Sequence, residues 1–272
     1  MKYTIWIVSP YNYEHSHAFD EVAQSLNESL ISLSHESQII TYAPPIGIEG
    51  KVIILGGNLL ANWPTHIERS WIVYNLEQIT PGSPWLTYQY IDLLKTNPVW
   101  DYSLENIAEL SKLGIQAKYL AIGYSPCLTR IVSSTQDIDV LHYGSMTERR
   151  LNIINELAAK GLNVHAAFGV YGAKRDALIA NAKVILNVHF YESKVFEIVR
   201  CSYLMANTKC VVSEPGSGGE SYDGGICFAP YESLVQHCLD LCGDGKERER
   251  IAWKGYEIFS SKSQAEYLKA VL

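Results

Sequence analysis

The residues best suited to chemistry sit in short loops that follow apolar runs. One such loop is Tyr143-Gly144-Ser145-Met146-Thr147-Glu148-Arg149-Arg150. Ser145 and Glu148 have the spacing of a capping box, in which a hydroxyl and a carboxylate satisfy free N–H groups at the start of a helix. Gly144 lets the chain turn closely above a sheet. A helix start followed by two guanidinium groups suits a diphosphate, because N–H groups and arginine forks share its charge. A capped helix whose arginines only face water fits the same spacing. In a second glycine turn, Phe168 to Asp176, the backbone, Tyr171, Lys174 and Arg175 are candidates to line a nucleobase or phosphate pocket. A third stretch, His189 to Arg200, holds Glu192 and Glu197, with Arg200 three places after Glu197 and so on the same helix face. A carboxylate there can accept both hydroxyls of a ribose while Arg200 holds the carboxylate or a phosphate; an intrahelical ion pair is the plainer alternative.

Two more loops lie in the first half. Ser9 to His17 is crowded with hydrogen-bonding groups, and His15 or His17 could serve as a general base because imidazole titrates near neutrality. Asn75-Leu76-Glu77-Gln78 follows the apolar run WIVY, where Glu77 could bind an acceptor hydroxyl or take its proton, and Asp101 is similarly placed after Trp100. The glycine-rich stretch Glu214 to Glu220 suits closure over a ligand. The sequence has no G-x-G-x-x-G after its first apolar run, no G-x-x-x-x-G-K-[ST] and no H-E-x-x-H, so neither standard NAD binding, ATP hydrolysis nor a bound metal is expected.

These loops need a scaffold that presents strand ends, and the periodicity supplies one. In the first half, apolar runs at 3–8, 51–55, 71–74, near 99–101 and at 117–122 read as strands, with helices over 17–33, near 84–94 and over 103–113. The pattern restarts with strands at 139–143, 163–168, 183–189, 209–212 and near 226–229, and helices at 147–160, 174–181, 195–206 and 231–242. Continuous apolar strands separated by helices imply parallel sheets covered on both faces. The expected fold class is therefore α/β: a first Rossmann-like unit over 1–122, a crossing segment over 123–138, a second Rossmann-like unit over 139–258, and a final helix within 259–272 that returns to the first unit. Ligands of such sheets bind beyond the carboxyl ends of the strands, and a working cleft between the two units is expected.

The formal charge of −7 is unevenly shared. Residues 1–122 carry 6 basic and 12 acidic side chains, and residues 123–272 carry 16 and 17. A long polyphosphate backbone would be repelled by most of the chain, so a small anion is expected and a nucleic-acid partner is not. The 6 cysteines form no C-x-x-C pair, and no stretch reaches the roughly 18 consecutive apolar residues that span a bilayer. Together with an amino terminus that reads as a buried strand rather than a signal peptide, this points to a cytoplasmic protein.

The motifs SPYNYEHSHAFDEVAQSL, VYNLEQI, VWDYSLENI, DVLHYGSMTERR, FGVYGAKRD and VILNVHFYESKVFEIVRCSYLMANTKCVVSE follow one another in an order that resembles the GT-B type nucleotide-sugar glycosyltransferases, in particular the bacterial spore-maturation, CgeB-like group. The resemblance covers nearly the whole chain. It implies an acceptor-side first domain, a second domain that binds a nucleoside-diphosphate sugar, and transfer to a hydroxyl acceptor without a metal or other cofactor. The donor nucleotide (UDP, GDP, ADP or dTDP) is left open, as is the acceptor. Glu197 stands where similar enzymes contact the donor ribose. The larger family often carries two glutamates eight positions apart here, whereas Glu192 and Glu197 are five apart and position 189 is histidine. Two other readings remain: an epimerase or phosphorylase on the same fold, and a nucleotide-sugar-binding or protein-interaction module without catalysis.

Overall fold

A computed structural model of the chain describes residues 1–62, 65–80, 82–190 and 195–272. The chain divides into two units, one formed by Met1–Cys127 with Ser263–Leu272 and the other by Leu128–Lys262.

In the first unit the order is β1 (Lys2–Ile7), α1 (Asp20–Ser32), β2 (Glu36–Thr41), β3 (Lys51–Leu55), β4 (Ile72–Asn75), α2 (Tyr88–Thr96), β5 (Val99–Asp101), α3 (Leu104–Lys112) and β6 (Ala117–Tyr119). The strands form one sheet in the order β2-β1-β3-β4-β5-β6, and every pairing is parallel. Ile5, Trp6 and Ile7 of β1 and Val52 to Leu55 of β3 are all buried, the pattern of a sheet covered on both faces. The strand β2 was not legible in the periodicity. Its sequence ESQIIT has four polar residues of six, and it lies at the sheet edge, where no residue of the strand is buried. The helix expected over 17–33 begins as a 3-10 turn, Glu14–Phe19, and the aromatic helix expected near 84–94 is displaced to α2, where the Thr87 side chain accepts from the Tyr90 N–H at 3.2 Å.

The second unit runs β7 (Ile138–Tyr143), α4 (Glu148–Ala159), β8 (Val164–Ala167), α5 (Gly172–Ala180), β9 (Ala182–Asn187), α6 (Ile198–Ala206), β10 (Val211–Ser213), β11 (Cys227–Phe228), α7 (Leu234–Gly243) and α8 (Gly245–Ser260). Its parallel strands are ordered β11-β10-β9-β7-β8. Each unit thus places its first strand between its second and its third. The strand order reverses at β1/β3 in one and at β7/β9 in the other, and in open parallel sheets ligands bind at that reversal. The core of the second unit includes Val140, Leu157, Val184, Leu186, Val212 and Leu234.

Two local expectations are corrected. The residue that caps α4 is Thr147, whose side chain accepts from the Arg150 N–H at 3.3 Å, and not Ser145. Helix α6 begins at Ile198 rather than near 195, which makes Glu197 its N-cap residue.

The last helix, α9 (Gln264–Lys269), belongs to the first unit and packs on α1. Gln264 is the fastener. Its Oε1 accepts the Gly123 N–H at 2.7 Å, its Nε2 donates to the Ala121 carbonyl at 3.2 Å, and its own N–H donates to the Tyr124 carbonyl at 2.9 Å. Replacing Gln264 by alanine strands the buried Gly123 N–H, and such a donor costs about 1–3 kcal/mol. Denaturant unfolding of Gln264→Ala is expected to show a loss in that range, with faster amide exchange at Gly123; wild-type stability would show that the fastener is dispensable.

Candidate functional site

At the β7/β9 reversal the chain leaves β7 through Gly144, which has φ +125, a conformation that side chains resist. A side chain there would also have to displace the Arg200 head group: a Cβ on Gly144 would lie 2.7 Å from Nη2 of Arg200 and 4.0 Å from Nη1 of Arg150. Two guanidinium groups therefore converge on this turn. Arg150, 2% exposed, donates from Nε to the Val188 carbonyl at 2.8 Å, from Nη1 to the Ser145 carbonyl at 2.7 Å and from Nη2 to Glu197 Oε1 at 3.2 Å. Arg200 donates from Nη1 to Asn187 Oδ1 at 2.9 Å and pairs with Glu197 Oε2 at 3.3 Å. Asn187 is itself oriented by its amide, which donates to Ser213 Oγ at 3.0 Å.

The electrostatics leave this turn positive. Burial pushes Arg150 down to about 10, against the pull of Glu197, so it is charged at neutral pH. Burial opposes the charge of Arg200, but Glu197 together with Tyr143, Cys201 and Tyr171 outweighs it and raises its pKa. Buried His142, in β7, is pushed down to about 3 by burial and by Arg200 and Arg150, so it adds no charge. Glu197 is thus one carboxylate shared by two guanidinium groups.

Arg149 has a different position. Its fork meets both oxygens of Glu214 at 2.6 and 2.5 Å, and its plane lies 4.1 Å from the ring centroid of Tyr231. Consecutive helical residues are about 100° apart around the axis, which is why neighbours in sequence face different partners. Burial opposes the charge of Glu214, yet hydrogen bonds from Arg149 and from the His189 N–H hold its pKa below the usual value. Arg175 forks onto Asp176 at 2.9 and 3.2 Å and stacks on Tyr203, whose hydroxyl donates to Asp176 at 2.8 Å. Tyr171 is the N-cap residue of α5, and its phenol is near enough to act on the charge of Arg200. Lys174 is exposed in the first turn of α5. Glu192 lies outside the described residues.

His189 was not among the sequence-based site residues. It follows β9 by two positions, is 2% exposed, and its Nδ1 stands 3.9 Å from Glu197 Oε1. The only signal in the sequence was its position eight before Glu197.

In the first unit, the carboxyl ends of β4 and β5 carry a polar network. The Asn75 amide donates to Asp101 Oδ2 at 2.6 Å and to the Glu77 carbonyl at 2.9 Å, and its oxygen accepts from the Tyr90 hydroxyl at 2.7 Å. The Asn106 amide bridges the same two residues, reaching the Glu77 carbonyl at 2.9 Å and Asp101 Oδ1 at 3.1 Å. The backbone of Glu77 is thereby pinned and its carboxyl left to Asn58, whose amide donates to Oε1 at 3.3 Å. Burial pushes Glu77 up to about 7, with Asn58 lowering it only in part. Asp101, 0% exposed, is likewise pushed up to about 7 by burial despite its hydrogen bonds from Asn75, Ser103 and Asn106. His17 Nδ1 lies 2.9 Å from Asp20 Oδ2, an orienting partner not apparent from the sequence. His15 meets the ring of Tyr13 edge-on at 5.2 Å, and burial and then the charge of Glu77 raise the Tyr13 phenol. Among the described residues, no group of three His, Cys, Asp or Glu side chains could hold a metal, and no helix is long and apolar enough to cross a membrane.

No protein-family model matches the chain. Among curated proteins it is 32% identical over 147 residues to uncharacterized protein L138 of Acanthamoeba polyphaga mimivirus, a match that takes in 51% of this chain and 17% of that protein. It is 29% identical over 187 residues to uncharacterized protein L140 of the same virus, covering 62% of this chain and 58% of that protein. The chain thus spans less than two thirds of either relative. Among solved structures, AviGT4, a glycosyltransferase of avilamycin A biosynthesis, superposes with a TM-score of 0.60 at 12% identity over 99% of this chain and 96% of its own. S. aureus TarM, solved as a point mutant in complex with fondaparinux, alpha-GlcNAc-glycerol and UDP, gives 0.59 at 12% identity over 80% of this chain and 54% of its own. A putative UDP-N-acetylglucosamine 2-epimerase from Listeria monocytogenes gives 0.50 at 8% identity, covering 99% of this chain and 95% of its own. At these identities the likeness establishes the fold: two Rossmann-like units with parallel sheets, as in GT-B glycosyltransferases.

The two raised carboxyls predict a pH effect. A folded-state pKa above the unfolded value means that the folded protein holds the proton more tightly, so these groups lower stability as pH rises from about 4 to about 7. Glu77→Gln removes one of them. Its unfolding midpoint, relative to wild type, is expected to improve steadily across that interval, and a constant difference would show that Glu77 is not raised.

Proposed function

We propose that the chain is a metal-independent glycosyltransferase of the CgeB-like kind, which moves a sugar from a nucleoside diphosphate to a hydroxyl acceptor and binds the donor in its second unit. The observation that carries this reading is the Gly144 turn between the guanidinium groups of Arg150 and Arg200, at the β7/β9 reversal, where the two positive charges share the one carboxylate of Glu197. A diphosphate supplies the missing negative charge. Cleavage of the sugar bond adds a further charge to it, so fixed donors at this turn stabilise the transition state more than the substrate. Glu197 retains lone pairs for the ribose hydroxyls. The bound UDP of the TarM structure supports this class of donor, and the 6 free thiols suit a reducing, cytoplasmic setting. Glu77, titrating near 7, suits proton removal from the acceptor because a catalytic base works best near the operating pH.

The epimerase neighbour gives a second reading some footing; conversion of a sugar nucleotide with no acceptor present would select it. Calorimetric titration with UDP, GDP, ADP and dTDP is expected to identify one bound nucleotide, with binding largely lost in Arg150→Ala and Glu197→Ala. No binding of any of the four by the folded protein would overturn the donor site.

Loss of one fixed donor in Arg150→Ala should slow transfer about a hundredfold at saturating donor, or ~3 kcal/mol of barrier. Glu77→Gln is expected to slow turnover while leaving nucleotide affinity unchanged. Wild-type turnover in that variant would remove the base assignment.

A further inference from the structure

We propose that His189 is a specificity-determining acceptor in the donor site: its Nδ1 takes a hydrogen bond from a hydroxyl of the bound nucleoside-diphosphate sugar. This rests on the donor reading above and adds to it a demand on the ligand's sugar chemistry. The ring Nε2 lies 3.1 Å from the carbonyl oxygen of Pro215. A carbonyl only accepts, so Nε2 carries a hydrogen, and in the neutral tautomer that this contact selects Nδ1 is a bare lone pair. That atom is buried, and no hydrogen-bond partner reaches it among the described residues. Buried acceptors are rarely left empty.

The ring is not free to turn elsewhere. Its backbone N–H is held by Glu214 at 2.9 Å, and the backbone of Gly216 closes over the other side. A Cβ at Gly216 would stand 3.2 Å from His189 Cε1 and 2.8 Å from the Phe196 nitrogen. The nearest carboxylate oxygen, Glu197 Oε1 at 3.9 Å, is beyond hydrogen-bond reach. In that tautomer Nδ1 and Oε1 are two acceptors facing one another with no hydrogen between them. Phosphate cannot supply that hydrogen, and an ammonium group would be repelled by Arg150 and Arg200. A neutral hydroxyl satisfies either acceptor, and a diol satisfies both. The donor ribose and the sugar beyond the diphosphate each carry such hydroxyls.

The test compares UDP with UDP-glucose, or the corresponding pair if another nucleotide is the one bound. His189→Leu and His189→Phe remove the acceptor, and His189→Asn returns an amide oxygen close to the place of Nδ1. Affinity is expected to fall at least tenfold in those apolar variants that keep the wild-type unfolding midpoint, and to recover largely in the asparagine variant. A loss shared by UDP and UDP-glucose assigns the contact to ribose, whereas a loss confined to UDP-glucose assigns it to the transferred sugar. Unchanged affinity for both ligands in a folded apolar variant overturns the proposal, as does an asparagine variant as weak as the apolar ones. In nitrogen-labelled wild type, the Nδ1 resonance of His189 should move when the ligand is added; a resonance that stays in place while the ligand binds overturns the proposal without any substitution. Nucleotide binding that depends on Arg150 but not on His189 would leave the donor reading intact and remove only this inference, whereas the absence of any nucleotide binding would remove both.

Discussion

The second unit is organised around the burial of two guanidinium groups beside a shared carboxylate. Taking charges out of water is costly, and it is tolerable only when each is paired and its remaining hydrogens are satisfied. Arg150 meets that condition with three separate acceptors, the carbonyls of Val188 and Ser145 and the carboxylate of Glu197. Those contacts tie α4 to the end of β9 and to the start of α6. The Gly144 turn is then constrained from two directions, by a φ that suits glycine and by guanidinium atoms in the space a side chain would need. Moving any one of these residues would expose an unpaired charge, so the site is held rigid by the cost of its own components.

The two units share a strand order but use their reversal points differently. In the second, cations gather where helix starts also favour anions. In the first, the strand ends carry carboxyls that burial drives toward their neutral forms, that of Glu77 held by Asn58 and that of Asp101 by Asn75 and Asn106. A shared scaffold has been given opposite electrostatic characters by a few residues in its loops, which is why fold likeness alone does not settle activity.

Most of the scaffold was legible in the sequence because buried parallel strands leave continuous apolar runs. The edge strand β2 was not, since a strand with no buried residue has no such signature. The site was legible to the level of the loop and less so to the level of the residue. Ser145 and Thr147 are two places apart and chemically alike, and only backbone geometry shows which one caps α4. Arg149 and Arg150 look interchangeable in a string of letters, yet the helical turn sends one to Glu214 and the other to Glu197. Asn106 and Asn58, which hold Glu77, come from distant segments, and no spacing rule links them to it. His189 was hidden for a similar reason: its partners are backbone and side-chain groups of residues 214 and 215, brought close by β10 pairing with β9.

The fastening of α9 by Gln264 also bears on how the chain is made. The second unit is one continuous stretch, Leu128–Lys262, whereas the first needs Ser263–Leu272 to cover α1. During synthesis the first sheet can assemble early, but the side of α1 on which α9 packs stays uncovered until residues 263–272 have left the ribosome. The unit that begins first is therefore completed only after the second has emerged, and a chain stopped short of α9 would leave the face of α1 that α9 covers open to other chains.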